Sequence, residues 1–392
     1  MLFNETTEII KRKELLSIEY VPETIVGREK EIKELAFNLS YFFRTNPTLP
    51  TLIIYGTVGT GKTTIINYVL KKFEESSKEK EKKIKIIRIK GSDSKTKYEV
   101  LKQILIQMAP DMPISTITAD LHTKIVKALS ERGLNVLIFL DEVHEIRENE
   151  LNSVLYAISR LGEDIAYSKS KKGITKPQKS QFGYILVSNE FLLRNKLKDN
   201  TKSSLTRENL TFLRYNPKQI VEILKSRIDA GAIKKEVIGE GVLELIAGES
   251  VKEGEDSRYA LKLLSAVCKE AEKRSLKKID TPLVEEVSED LKKNYLKENI
   301  KNLPDFYLEI LLIIYELFKN DENINSKTIW DEYQKKTYLS KVNFSRISQI
   351  VSYLEKEGII YVTTSKKTKL RNLSIEENKG EIEEVLKELE KL

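Results

Sequence analysis

The stretch Thr51–Thr64, TLIIYGTVGTGKTT, restricts the possible folds more than any other part of the chain. Leu52-Ile53-Ile54-Tyr55 is a short apolar run bounded by Gly56, which reads as a buried strand. Gly56-x-x-x-x-Gly61-Lys62-Thr63 follows directly, and Thr64–Leu70 opens a helix. Strand, glycine loop and helix in this order make a cradle for phosphate. Gly56, Gly59 and Gly61 let backbone N–H groups turn inward around phosphate oxygens. The helix N-terminus adds partial positive charge. Lys62 reaches the β- and γ-phosphates, and the Thr63 hydroxyl binds Mg²⁺. The residues expected to hold ATP or ADP here are Gly56, Thr57, Val58, Gly59, Thr60, Gly61, Lys62, Thr63 and Thr64.

Further strands follow. Asn4–Ser17, ahead of the loop, reads as the start of an amphipathic helix. Lys83–Lys90 (KIKIIRIK) is a second strand, and Lys95–Met108 has the helical spacing Tyr98, Leu101, Ile104, Leu105. Ala109–Thr118 interrupts it with two prolines before a helix over Asp120–Arg132. Asn135–Asp141 (NVLIFLD) is an apolar run ending in Asp141-Glu142. Downstream of a phosphate loop, Asp141 is placed to hold Mg²⁺ and Glu142 to polarise the attacking water. Val143–Leu161 reads as helical, and Gly183–Asn189 (GYILVSN) as the next strand. Asn189, at its end, is the candidate that senses the γ-phosphate and orients water. Tyr167–Ser180 carries five Lys and no acid, either a solvated loop or one that touches DNA phosphates.

Leu210–Tyr215 with Asn216-Pro217 leads into helices at Pro217–Gly231, Gly239–Ala247, Glu255–Lys277 and Asp280–Tyr295. Arg258, near the start of the third, can fold over onto the nucleotide phosphates. Lys301-Asn302-Leu303-Pro304 marks a boundary. Beyond it come helices at Pro304–Lys319, Ser326–Lys336 (with Trp330 on its core face) and Val342–Glu357, the last ended by Gly358. Ile359–Thr363 and Leu370–Ile375 alternate as two strands, and Gly380–Leu392 is a final helix. Three helices plus a hairpin make a winged helix. The hairpin tip holds Lys366, Lys367, Lys369 and Arg371. The expected division is 1–212, an α/β nucleotide-binding base with a parallel sheet; 213–300, a helical lid; and 301–392, the winged helix.

Length bears this out: 392 residues are too many for one ordinary domain. No apolar run reaches the roughly 18 residues of a membrane helix, and the N-terminal stretch lacks a signal core. One cysteine, Cys268, excludes a disulfide framework and fits a reducing cytosol. Two histidines and one cysteine cannot form a usual protein-only zinc site; His144 reads as structural. A net charge of +7 permits nucleic-acid binding without demanding it.

The order of motifs YVPETIVGRE, GTVGTGKTT, FLDEVHE, VSNE, KSSL and EDSRYALKLL, followed by a winged helix, resembles the archaeal origin-recognition initiators, AAA+ ATPases of the Orc/Cdc type. The resemblance covers essentially the whole chain. It implies that Val26, Gly27 and Arg28 wall the adenine base, and Tyr215 is placed with the cofactor-binding residues. It implies an insertion that enters DNA, here around Met108–Thr118, with Pro113, Ile114, Ser115 and Thr116 as contacts. It also implies a third winged-helix helix in the major groove (Asn343, Ser345, Arg346, Gln349) and a wing (Lys366, Lys367, Lys369, Arg371) in the minor groove. One departure stands out. Ahead of Lys-Ser-Ser-Leu (202–205) the family pattern Asp-Pro-Arg-Val is absent and Asp199-Asn200-Thr201 stand before Lys202, so Asn200 occupies the place of an Arg that acts on a neighbour's nucleotide.

The function expected is a DNA replication initiator that binds origin duplex DNA sequence-specifically. ATP or ADP with Mg²⁺ serves as a slow-hydrolysing switch, so the chain is read as a weak ATPase in the nucleoid of the cytoplasm. Its expected partners are double-stranded origin DNA, other initiator paralogues and the replicative helicase. Two alternatives stay open: a RuvB-like AAA+ winged-helix branch-migration motor, and an origin-linked DNA-binding regulator.

Overall fold

The strands expected from the apolar runs pair in parallel. The structure is a computed structural model that describes residues 8–389 apart from 19, 133, 172–180, 192, 207, 253, 255–256, 321–323, 337–342 and 365–370. Contacts divide the chain into two units, Met1–Thr281 and Pro282–Leu392.

In the first unit, α1 (Glu29–Ser40) leads to β1 (Thr51–Gly56) and α2 (Lys62–Glu79). Then come β2 (Lys85–Lys90), α3 (Lys97–Met108), α4 (Thr118–Arg132), β3 (Val136–Asp141) and α5 (Glu148–Lys171). β4 (Phe182–Ser188), the short α6 (Asp199–Ser204) and β5 (Asn209–Phe212) complete the base. The sheet order is β2-β3-β4-β1-β5. β3 is buried at every position, as a central strand covered on both faces must be. Leu35, Leu39, Leu70 and Phe73 of α1 and α2 cover one face. Leu101, Ile104, Leu105, Ile125 and Leu155 of α3, α4 and α5 cover the other.

Register decides where chemistry can sit. Lys90 pairs with Asp141, and Tyr55 with Ser188. The C-terminal ends of β1, β3 and β4 therefore lie side by side, the place where parallel α/β sheets bind ligands. Local chemistry sharpens the ends. Thr96 caps α3, accepting from Glu99 N–H while the Glu99 carboxylate accepts from Thr96 N–H.

α7 (Pro217–Asp229), α8 (Val242–Lys252) and α9 (Ser257–Lys273) follow as the helical part of the unit. Asn216 caps α7 in the same reciprocal way with Gln219. Cys268 of α9 is fully buried, and burial pushes its thiol up to about 12.

Two segments differ from the sequence expectation. Ile9 and Ile10 are extended, not helical: Ile10 bridges Ile233, and both N–H groups donate to Glu272 Oε1 at 2.7 and 2.8 Å. A partner on α9 satisfies backbone that a helix would have satisfied internally, and among the described residues of this stretch only Lys13–Leu16 winds into a short 3₁₀ turn. Asn209–Phe212, read as the approach to a helix, is the fifth strand, held by pairing from Ile53↔Asn209 to Gly56↔Phe212.

In the second unit, α10 (Thr281–Lys301) runs in from the boundary and places Ile300 in the core. This helix, expected to close the lid, therefore shares the core of the C-terminal unit. α11 (Asp305–Lys319), α12 (Ser326–Lys336) and α13 (Phe344–Lys356) precede an antiparallel hairpin of β6 (Tyr361–Thr364) and β7 (Arg371–Ser374), and α14 (Lys379–Glu388) ends it. Three helices and a hairpin are the expected winged-helix plan. Trp330 is partly buried at the core edge, edge-on to Phe344 at 6.3 Å. Lys366, Lys367 and Lys369 of the wing and residues 172–180 of the lysine-rich stretch lie outside the described residues. Among the described residues no helix is long and apolar enough to cross a membrane.

Candidate active site

A cavity of about 310 Å³ opens over the loop between β1 and α2. One end is the loop itself. Gly59 and Gly61 adopt φ of 80° and 83°, left-handed values that a glycine takes without strain. A Cβ on Gly61 would lie 2.6 Å from Tyr215 Oη, so only glycine admits this approach. Lys62 Nζ donates to Gly56 O at 2.8 Å and Thr57 O at 2.7 Å, which places its charge at the loop. Thr60 Oγ1 donates to Thr57 O.

The second motif meets the first. Thr63 Oγ1 donates to Asp141 Oδ2 at 2.6 Å, and Glu142 N–H donates to Asp141 Oδ1 at 2.9 Å. Glu142 has φ of 53°, a left-handed conformation rare for a residue with a side chain. A Cβ on Gly91 would lie 2.2 Å from Glu142 O, so the loop after β2 closes directly on this backbone.

Asn189, from the end of β4, reaches the same cavity beside His144. Asn189 N–H donates to His144 Nδ1 at 3.4 Å, and Asn189 Nδ2 lies 3.0 Å from His144 Nε2. Glu145 Oε1 is 3.6 Å from the same Nε2. One neutral tautomer satisfies both Asn189 contacts: Nδ1 accepts, and Nε2–H donates to an Asn189 amide turned so that Oδ1 faces the ring. That orientation leaves the amide NH₂ for the cavity. His144 is thus part of the site, although nothing in its sequence neighbourhood distinguished it from a structural residue.

Arg258 and Ser257 enter from the start of α9. Val26 and Tyr215 line the cavity with Ile18, Tyr20 and Ile223, the Tyr215 hydroxyl lying against the loop at Gly61. Gly27 and Arg28 stand behind this wall. Gln219 Nε2 donates to Gly27 O, and the buried Arg28 guanidinium bonds Glu31 Oε1 and Leu213 O while stacking 3.9 Å over the Tyr215 ring. Arg28 positions Tyr215, and Tyr215 forms the surface.

The residues fit a nucleotide with Mg²⁺. Thr63 and Asp141 present hard oxygen donors at one point, as Mg²⁺ requires. Thr57 Oγ1, and Nε and Nη1 of Arg227, are buried with no hydrogen-bond partner among the described residues. A nucleotide offers acceptors for such groups. Among the described residues no cluster of three or more His, Cys, Asp or Glu could hold a metal on its own.

The expected DNA contacts that the structure describes before α4 and on α13 are exposed, save Ser115, which is partly buried. Pro113, Ile114, Ser115 and Thr116 lie between α3 and α4; Ile114 is half exposed, Ser115 Oγ bonds Asp120, and Lys124 Nζ holds Pro113 O. Asn343 caps α13, its Oδ1 accepting from Arg346 N–H at 3.0 Å, and Arg346 reaches Gln349 Oε1 at 3.3 Å. Gln349 and Ser345 lie opposite buried Ile347, Ile350 and Leu354, while Arg346 flanks that face, 5.8 Å from the centre of the Tyr307 ring.

Comparison with known proteins follows the same outline. A family model described as bacterial TniB protein matches residues 29–175, and one described as Cdc6 AAA+ ATPase-type lid domain matches residues 221–289. An ORC1-type DNA replication protein of Methanosphaera stadtmanae is 27% identical over 368 residues, 92% of this chain and 90% of that protein. ORC1-type DNA replication protein 1 of Sulfolobus acidocaldarius is 29% identical over 357 residues, 90% of this chain and 85% of that protein. Among solved structures, Aeropyrum pernix ORC1 in complex with DNA matches with a TM-score of 0.77 at 24% identity over 97% of both chains. Cdc6p from Pyrobaculum aerophilum matches with a TM-score of 0.60 at 19% identity, over 97% of this chain and 99% of that one. The fold is the AAA+ arrangement expected from the motifs.

Proposed function

We propose, on a likeness to the archaeal origin-recognition initiators that runs the length of the chain, that this protein is a replication initiator. It binds origin duplex DNA sequence-specifically and holds ATP or ADP with Mg²⁺ in the cavity as a slow-hydrolysing switch. The observation that carries the nucleotide part is the meeting of Thr63 and Asp141 at 2.6 Å in a cavity that Glu142, Asn189 and Arg258 also line. These residues come from four separate elements, and their convergence is what phosphoryl chemistry requires.

When bound, Mg²⁺ neutralises charge on the phosphates and holds them in register. The chain's own residues divide the remaining work. Lys62 and the inward N–H groups of the loop bind phosphate oxygens. Asp141 and Thr63 hold the metal. The Glu142 carboxylate takes the proton of the attacking water, its position fixed by its own left-handed backbone, which packs against Gly91. Asn189 directs its amide NH₂ at the γ-phosphate, with His144 as its positioning residue. Arg258 stabilises negative charge from the lid side.

Slow turnover follows from Asn200. Its Oδ1 accepts from Thr201 N–H at 2.8 Å, and its amide carries no charge to offer a neighbouring protomer. An arginine in trans is worth about 10³-fold or more in rate. On the DNA side, phosphate contacts supply affinity and register, while Arg346 and its neighbours on α13 read base edges. Double-stranded origin DNA, other initiator paralogues and the replicative helicase are the proposed partners.

The test is selection of genomic fragments by the purified protein at physiological salt with Mg²⁺ and ATP. Enrichment of a few loci sharing a short motif is the expected outcome. Uniform, salt-sensitive recovery of all fragments would overturn sequence-specific binding and move the reading to a branch-migration motor, to be assayed on four-way junctions.

A further inference from the structure

The cavity wall carries a charge that the mechanism above does not use. Arg227, in the last turn of α7, is 6% exposed and lines the cavity one helical turn beyond Ile223. Nη2 donates to Tyr20 O at 3.1 Å, and the guanidinium lies 4.7 Å from the centre of the Tyr20 ring. Nε and Nη1 have no partner among the described residues. Burial pushes its pKa below the usual arginine value, so the cation sits in poorly solvated surroundings. Buried donors of a charged group are normally satisfied, and each exception calls for an explanation.

We propose that Arg227 is a specificity-determining residue that donates from Nε and Nη1 to acceptor atoms on the purine base of the bound nucleotide. Three observations favour the base over the phosphates. The residues flanking Arg227 in the cavity are Tyr20, Ile223 and Ser226, a largely apolar wall suited to a flat ring. Lys62 is already bonded at the phosphate loop, and Arg258 follows Ser257, whose Oγ lies 3.5 Å from Gly59 O of that loop. The helix bearing Arg227 also begins beside the base-side residues, where Gln219 bonds Gly27.

The chemistry narrows what is read. A guanidinium has five N–H donors and no acceptor. It therefore recognises ring nitrogens or a carbonyl of the base, and it gains nothing from an exocyclic amino group. Recognition by a site with dedicated buried donors rejects ligands that lack the matching acceptor.

This inference rests on the nucleotide reading above, and the experiment separates the two. Binding of ATP, of 1-deaza-, 3-deaza- and 7-deaza-ATP, and of inorganic tripolyphosphate, each with Mg²⁺, is measured by calorimetry on the full chain and on Arg227→Gln. The wild-type protein should bind at least one deaza analogue roughly tenfold or more weakly than ATP, the worth of a hydrogen bond from a charged donor. Arg227→Gln should lose a similar factor for ATP, bind that analogue no worse than ATP, and keep its affinity for tripolyphosphate. The wild-type series does not depend on the variant folding.

Equal binding of all three analogues and ATP by the wild-type protein would overturn the base contact, whatever the variant does. A parallel loss of ATP and tripolyphosphate by Arg227→Gln would make Arg227 a phosphate ligand and overturn it as well. A wild-type protein that binds neither ATP nor tripolyphosphate would bring down the nucleotide reading itself.

Discussion

The Thr63 hydroxyl donates to Asp141 Oδ2 at 2.6 Å, joining residues 78 positions apart. The short distance is that of a hydroxyl bonded to an ionised carboxylate. It ties the first turn of α2 to the end of β3 at the point proposed for Mg²⁺. Thr63→Ala should therefore weaken Mg²⁺-dependent ATP binding by about tenfold or more, the scale of a hydrogen bond to a charged group. Titration with Mg²⁺ and again with EDTA checks this: equal losses under both conditions would mean the hydroxyl serves the nucleotide or the fold, not the metal.

Glu142 has a different role, and its removal should separate binding from chemistry. Glu142→Gln keeps size and polarity but cannot take a proton. ATP should stay bound while single-turnover hydrolysis falls by about 10²-fold or more, the usual contribution of a general base. Hydrolysis at the wild-type rate would remove Glu142 from the reaction.

His144 acts through Asn189. His144→Ala should leave ATP affinity within a factor of about two yet slow hydrolysis by roughly tenfold to a hundredfold, since a catalytic group displaced by about 1 Å can lose that much. Asn189→Ala should slow it comparably, and the double variant should be no slower than Asn189→Ala alone. Additive losses would show that the two residues work independently.

Cys268 gives a prediction on pH. Its thiol is fully buried, and burial raises it to about 12 from an ordinary 9.0. Below pH 9 the folded and unfolded chains both keep this proton, and the group adds no pH dependence. Above it the unfolded chain loses the proton while the folded chain holds it, so stability falls as pH rises toward 12. The loss is about 1.4 kcal/mol for each pH unit in that window. Urea midpoints at pH 7 and pH 10 should therefore converge between wild type and Cys268→Ala, because the variant is spared this alkaline loss. A constant gap between them would contradict it.

Arg346 tests the DNA reading. Exposed on α13 and bonded to Gln349, it is proposed to meet a base edge. Arg346→Ala should cost about 1–3 kcal/mol on the selected site and relax preference at one base pair. A uniform loss over all sequences, with the salt slope reduced by about one, would assign it to a phosphate instead.

Much of this was legible because the signals were local. The phosphate loop, Asp141-Glu142 and Asn189 each follow a short apolar run that reads as a buried strand, and parallel pairing then aligns their ends. The winged helix was legible from helical spacing, a terminal Gly358 and alternation. What escaped depended on distant partners. Ile9 and Ile10 are extended because Glu272, 263 and 262 positions away, accepts their N–H groups. Asn209–Phe212 is too short to signal a strand without Ile53–Gly56 beside it. Arg227 sits in a charged helix, LKSRID, where an arginine reads as solvated; in the fold it is buried, with Tyr20 passing across it. Arg28 went the other way, placed on the cavity wall by resemblance and found behind Tyr215.

The extended N-terminal segment changes the mechanics of the first unit. Its bridge to Ile233 and its bonds to Glu272 fasten it to the helices after β5, and the chain then crosses the cavity to enter α1. Those helices are thus tied to the sheet by two separate stretches of chain, 20–28 and 213–216. A plate fixed at one corner can swivel in any direction, whereas a plate fixed at two can turn only about the line that joins them. With two attachments in place of one, those helices have fewer ways to swing away from the sheet, and Tyr20, on one attachment, accepts through its carbonyl from Arg227.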